Sequence, residues 1–129
     1  MVCDIMDRHR LLFNKFSVCD EHVLLVTQEF ESQINPLNKS DWLSALVTCR
    51  SLDAMMYFNC GFLSGASIPH KHMQLIPYSS LYNSLLPVEE AALAIKGKDK
   101  MFQLPHFNKI KHVFYDLKES GVNCLINDL

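Results

Sequence analysis

The stretch from Asn59 to Tyr78 constrains this chain more than any other, and its centre is His70-Lys71-His72-Met73-Gln74. Extended backbone sends successive side chains to opposite faces. A strand here therefore sets His70, His72 and Gln74 on one face and Lys71 and Met73 on the other. Three polar groups then converge on one surface. Immediately upstream, Asn59-Cys60-Gly61-Phe62-Leu63-Ser64-Gly65-Ala66-Ser67 supplies small residues, hydroxyls and free backbone N–H groups, the composition of a turn that can wrap an anion. Paired imidazoles beside an anion cradle point to phosphate chemistry.

The flanking segments supply a scaffold for that strand. Leu11-Leu12-Phe13-Asn14-Lys15-Phe16 reads as a strand and Val23-Leu24-Leu25-Val26-Thr27 as a second, more completely buried one, joined as a hairpin by the polar turn from Ser17 to His22. Beyond the break at Pro36, Ser40 suits the N-cap of a helix from about Asp41 to Met56, with Asp41 against the positive end of the helix dipole. Trp42, Ala45, Leu46, Cys49, Leu52 and Met56 recur at helical spacing, which predicts an apolar face laid on a sheet. Tyr57-Phe58-Asn59 is a short strand leaving that helix, and the strand from His70 to about Ile76 ends at Pro77. Leu81 to Pro87 reads as a linker, Val88 to Ile95 as a short helix and Lys96 to Lys100 as a loop. A last strand is predicted through Ile110 to Tyr115, before a turn at Glu119-Ser120-Gly121.

At 129 residues the chain can bury a core, and one domain over residues 1–129 is the expected count. A net charge of -2 offers no broad basic field, so nucleic acid is not an expected partner and an anionic ligand must be held locally. The five cysteines, Cys3, Cys19, Cys49, Cys60 and Cys124, are odd in number and include no Cys-x-x-Cys pair, which fits a reducing compartment. The first ten residues mix both charge signs and do not read as a secretory signal. No run approaches the roughly 18 apolar residues of a membrane helix. The expectation is a cytoplasmic protein without a membrane partner, in which the acceptor pattern Asn38-Lys39-Ser40 stays unglycosylated.

A strand-borne His-x-His pair has three uses. Isolated histidines are most often structural. A pair can also ligate zinc, but zinc needs a third and usually a fourth ligand; Gln74 is a poor one, and His106 or His112 would have to fold back. No metal site is therefore expected. The third use is nucleophilic attack on phosphorus by a neutral imidazole whose other N–H is held by an acceptor. His72 has a neighbour on each side, and the glycine and serine loop would supply donors to the phosphoryl oxygens.

Asn59-Cys60-Gly61, then Ser64-Gly65-Ala66-Ser67, then His70-Lys71-His72-Met73-Gln74 closely resembles the diadenosine tetraphosphate phosphorylases (ATP adenylyltransferases), a branch of the histidine-triad superfamily. The likeness extends through Phe13-Asn14-Lys15-Phe16 and Glu21-His22-Val23-Leu24-Leu25-Val26-Thr27, covering most of residues 10 to 80. The resemblance implies an α+β fold with a histidine-triad-like antiparallel β-sheet and packed helices. It makes His72 the nucleophile of a nucleotidyl-histidine intermediate and His70 the residue whose backbone or ring orients it. Gln74 stands where the hydrolase branch has a third histidine; a glutamine can bond a phosphate oxygen but cannot relay a proton, which favours transfer to phosphate over hydrolysis. Asn59, the segment Ser64-Gly65-Ala66-Ser67-Ile68, Gln74, Asn14 and Lys15 are the implied substrate-binding residues. Family members commonly have Gln where Ile68 stands and Pro where Phe62 stands, and they are much longer, with an upstream segment and a C-terminal half.

The expected reaction is phosphorolysis of diadenosine tetraphosphate to ATP and ADP by reversible adenylyl transfer. The alternatives are a sugar-nucleotide phosphorylase or nucleotidyltransferase with the same motif, and a truncated nucleotide-binding module without turnover. A small-molecule nucleotide is the expected partner. No tightly bound cofactor is expected, which leaves room for a divalent cation such as magnesium. Self-association through apolar surface around Leu81, Leu85, Leu86 and Phe107 is the further expectation.

Overall fold

A computed structural model of the chain describes residues 3–17, 19–81, 86–95, 101–107, 109 and 111–115. The chain divides into two compact units, Met1–Ser84 and Leu85–Leu129. The first unit runs β1 (Cys3–Ile5), β2 (His9–Phe13), β3 (Val23–Thr27), α1 (Lys39–Leu52), β4 (Ala54–Tyr57) and β5 (His72–Pro77). These strands form one antiparallel sheet in the order β1-β2-β3-β5-β4, so the last strand inserts between β3 and β4. The predicted α+β class with an antiparallel sheet is what the chain adopts.

The β2–β3 hairpin forms as predicted, with His9 opposite Thr27 and Phe13 opposite Val23. Its first strand stops at Phe13 rather than Phe16 because Asn14 turns the chain: its Oδ1 accepts the Phe16 N–H at 3.0 Å while its own N–H donates to His22 O at 2.9 Å. β1 pairs with β2 on the exposed edge, where Arg10 Nε donates to Asp4 at 2.8 Å. Charge alternation at the N-terminus hides that strand from periodicity.

The predicted helix from Asp41 to Met56 is corrected at both ends. Asn38, not Ser40, is the N-cap: its side chain accepts from Asp41 N at 3.0 Å, and Asp41 Oδ2 accepts the Asn38 N–H at 2.9 Å. At the far end Asp53 turns left-handed (φ 47°, ψ 58°) and returns its N–H to Cys49 O, which releases Met56 into β4. The buried face differs as well. Trp42 is 47% exposed, while Asp41, Ser44, Ala45 and Thr48 are buried. Their spacing is still helical, but much of what they cover is polar.

The sheet contributes Leu11, Val23, Leu25, Met73 and Leu75 to the core; Ala45 and Ala54 join them, with Cys49, Leu52 and Met56 packed at the margin. Burial pushes the Cys49 thiol up to about 11, so it stays protonated. Beside this apolar core lies a buried ionic cluster. Lys71 is 1% exposed, and its ammonium donates to Asp41 at 2.9 Å, Glu31 at 3.0 Å and Pro36 O at 3.1 Å. Asp41 also holds His9 Nε2 at 2.9 Å, and His9 Nδ1 lies 2.9 Å from Ser44 Oγ. Burial alone would raise the Asp41 pKa, but the Asn38 N–H, Lys71 and His9 outweigh it and hold the carboxyl below its ordinary value. Burial would lower that of Lys71, and Asp41 and Glu31 reverse the sign.

The second unit carries α2 (Pro87–Ile95), one residue longer than predicted, with Glu89 accepting the Leu86 N–H at 3.1 Å and two acidic residues in its first turn. β6 (Met101–Phe102) pairs with β7 (Phe114–Tyr115), and Leu104 is 1% exposed beside them, donating its N–H to His112 Nε2 at 2.8 Å. Of the predicted strand from Ile110 to Tyr115, residues 111–113 lie outside any strand and Phe114–Tyr115 form β7. Leu85, Lys96 to Lys100, Ile110, Glu119 to Gly121 and the His106 side chain lie outside the described residues. Among the described residues no helix is long and apolar enough to cross a membrane.

Candidate functional site

β5 alternates between the two faces of its sheet. Met73 and Leu75 enter the core under α1, so His72 and Gln74 occupy the opposite face. His72 Nδ1 lies 2.8 Å from the carbonyl oxygen of His70. A carbonyl only accepts, so Nδ1 carries the proton and Nε2 keeps its lone pair. The backbone of His72 is held just as tightly. Its N–H donates to Gln33 Oε1 at 2.7 Å and its carbonyl accepts from Gln33 Nε2 at 3.1 Å, the same Nε2 donating to Asn59 O at 2.8 Å. Gln33 is 2% exposed and ties the His72 backbone to the start of the glycine loop.

His70 sits just ahead of the strand, in an isolated bridge with Ser32. Its ring does not meet His72. Nε2 lies 2.9 Å from Thr27 Oγ1 and 3.3 Å from Glu29 O, so the orienting group is the His70 backbone rather than its imidazole. Lys71, between the two histidines, has all three ammonium protons engaged beneath the sheet and none left for a ligand.

The loop is a tight, self-bonded turn, which corrects the reading of its N–H groups as free. Gly61, Ser64, Gly65 and Ala66 donate to Asn59, Gly61, Phe62 and Gly61 carbonyls respectively, and Gly61 and Gly65 adopt φ of 86° and 96°. Ser67 and Ile68 have no such backbone bond among the described residues. Ser64 turns its hydroxyl to Cys60 O at 3.2 Å and borders neither cavity beside His72. Asn59 also borders neither.

Two cavities meet at His72. One of about 400 Å³ is walled by Leu12, Leu24, Val26 and Ile68, with Arg10, Thr27, Gln28 and His70 at its polar margin. The other, about 480 Å³, is bordered by Asn14, Lys15, His22, Tyr57, Gly65, Ala66, Ser67 and Gln74. An apolar slot of the first kind suits a flat heterocycle, and the second presents donors to an anion. Gln33, His22 and Tyr57 escape the sequence reading, although the register that sets Tyr57 opposite Gln74 is the natural signal for the last. Tyr57 Oη donates to Gln74 Oε1 at 2.8 Å; burial, then charge at Cys19, raises its pKa and keeps it a donor. Among the described residues no three His, Cys, Asp or Glu side chains come together to hold a metal.

An antiparallel sheet that presents one carbonyl-held histidine behind a glycine turn is a histidine-triad-like fold. Residues 1–94 match the model of the Ap4A phosphorylase N-terminal domain, and the chain belongs to this family. Over 113 residues it is 35% identical to diadenosine 5',5'''-P1,P4-tetraphosphate phosphorylase 2 of Saccharomyces cerevisiae, spanning 78% of this chain and 32% of that protein. It is 40% identical over 75 residues to Protein APA1 of the same yeast, 53% of this chain and 23% of that protein. The structure of yeast Ap4A phosphorylase Apa2 in complex with AMP superposes with a TM-score of 0.59 at 36% identity, covering 72% of this chain and 32% of Apa2. Apa2 in complex with Ap4A gives 0.55 at 34% identity, covering 72% and 34%. The chain thus spans about a third or less of the length of these relatives.

Proposed function

We propose that the chain carries the nucleotidyl-transfer centre of an ATP adenylyltransferase that cleaves diadenosine tetraphosphate with phosphate, giving ATP and ADP. The observation that carries this reading is the His72 tautomer: Nδ1–H is bonded to the His70 carbonyl at 2.8 Å, which leaves Nε2 as a nucleophile where two cavities meet. Nε2 attacks the α-phosphorus of one nucleoside. The bond from that phosphorus to the bridging oxygen breaks, ATP departs, and AMP remains on His72. A phosphate oxygen then attacks the same phosphorus, restores the imidazole lone pair and gives ADP. The charge that develops on the ring is shared with the His70 carbonyl.

Base and ribose occupy the apolar slot, and the α-phosphate sits at the N–H groups of Ser67 and Ile68 with Lys15, Asn14 and Gln74 around it. Asn59 and Ser64 contribute by shaping the loop. A small-molecule nucleotide is thus the partner, and cytoplasmic residence belongs to the same proposal, supported by free thiols at Cys3, Cys19, Cys49 and Cys60. The test is to incubate the chain with diadenosine tetraphosphate labelled in its α-phosphates, quench at alkaline pH where phosphoramidates survive, and map the label. Label on the peptide carrying His72, discharged as ADP by added phosphate, is the expected result. Label from sugar nucleotides in its place would reassign the substrate.

A further inference from the structure

Gln74 faces the polar cavity with one end of its amide, and which end decides what it can bind. The choice is made by a chain of hydrogen bonds that begins at a group with no freedom. The Phe16 backbone N–H donates to Asn14 Oδ1 at 3.0 Å, which fixes the Asn14 amide and turns its Nδ2 toward His22. Asn14 Nδ2 lies 3.2 Å from His22 Nδ1. An amide NH₂ only donates, so Nδ1 of His22 must be the unprotonated nitrogen and Nε2 must carry the hydrogen. His22 Nε2 lies 3.5 Å from Tyr57 Oη, the longest link, as catalytic hydrogen bonds often are before a ligand tightens them. With one hydrogen arriving at its oxygen, Tyr57 sends its own to Gln74 Oε1 at 2.8 Å. Gln74 Nε2 is left over. Among the described residues it has no partner, and none of their buried side-chain nitrogen or oxygen atoms lacks one, so this NH₂ is open to the cavity it borders.

We propose that Asn14, His22 and Tyr57 are positioning residues that lock Gln74 as a pure donor, selecting phosphate over water as the acceptor of the nucleotidyl group; this rests on the transfer reaction proposed above. The geometry gives the selection its chemistry. A fixed NH₂ holds a phosphate oxygen through its hydrogens, whereas activating water needs an acceptor for the proton, which this end of Gln74 cannot offer. His22 is 3% exposed and lies in the hairpin that delivers Asn14, so the relay is built into the β2–β3 turn rather than into the glycine loop.

The first readout needs no turnover. In ¹⁵N-labelled protein, the long-range proton–nitrogen spectrum of His22 should show the Nε2–H tautomer with Nδ1 unprotonated; an Nδ1–H tautomer overturns the proposal. The second is AMP affinity by calorimetry. Tyr57→Phe and Gln74→Ala should each weaken binding by about five- to tenfold, and the double variant should bind no more weakly than Gln74→Ala alone; additive losses overturn it. Absence of AMP binding by the wild-type chain would remove the nucleotide reading. In that case the Gln74 side-chain NH₂ resonances still decide the relay: collapse toward free-amide averaging in Tyr57→Phe supports it, and unchanged resonances overturn it.

Discussion

One strand serves two faces, and the faces treat their polar groups in opposite ways. Below β5, toward α1, every hydrogen of the Lys71 ammonium has an acceptor and both ring nitrogens of His9 have partners. Above it, His72 and Gln74 each have one end bonded and one nitrogen turned to a cavity. Side chains of similar chemistry therefore divide into those whose hydrogen-bonding positions the fold fills and those it leaves open to a ligand. A satisfied buried charge rigidifies the strand; a half-satisfied histidine on that strand is aimed.

The largest separation of the two faces is expected from His72→Ala. It should abolish nucleotidyl labelling while costing about 1–3 kcal/mol in stability, because it removes a mostly buried ring and leaves the His70 carbonyl without its donor. Full labelling of that variant would remove His72 from the reaction. The mirror-image experiment is Lys71→Met, which removes the buried cation that Asp41 and Glu31 share, leaving Asp41 to His9 and the Asn38 N–H and Glu31 to Arg8 at the surface, and should destabilise the chain by about 3–5 kcal/mol in urea unfolding. A Lys71→Met protein of unchanged midpoint would mean that the cluster below the strand is as replaceable as a surface pair.

A smaller effect should follow pH. Asp41 has its pKa lowered in the fold, so its contribution is complete above the ordinary carboxylate value of about 4 and is lost as pH falls through the folded value. Lys71 has its pKa raised, so its contribution is complete below the ordinary lysine value of about 10.4 and is lost as pH rises through the folded value. Unfolding midpoints should form a plateau between those limits, and Asp41→Asn should flatten the acid limb. An acid limb identical in the variant would assign it to other carboxylates. The smallest change is expected at Trp42, a residue 47% exposed. Trp42→Gln should shift stability by no more than about 0.5 kcal/mol, and a loss several times larger would show that Trp42 packs with the rest of the stripe.

The β2–β3 hairpin, the class of the fold and the reactive strand are legible in the residues themselves, because period-two alternation, a polar turn and a proline stop act over a few neighbours. His72 and Gln74 are recognisable for the same reason: they share a face by backbone geometry alone. Local pattern is half right for α1. Of the stripe at Trp42, Ala45, Leu46, Cys49, Leu52 and Met56, Ala45, Cys49, Leu52 and Met56 pack on the core as read, but Trp42 is largely exposed and Asp41, Ser44 and Thr48 are buried beside them, since His9 and Lys71 reach Asp41 from 32 and 30 residues away. It fails for the glycine loop, whose N–H groups close on their own carbonyls, and for Gln33, which reaches His72 across 39 residues. The sequence by itself determined which groups could react. Only the tertiary structure decided which of their hydrogen-bonding positions are filled, because those partners come from distant segments, and the unfilled position is where the chemistry is proposed to occur.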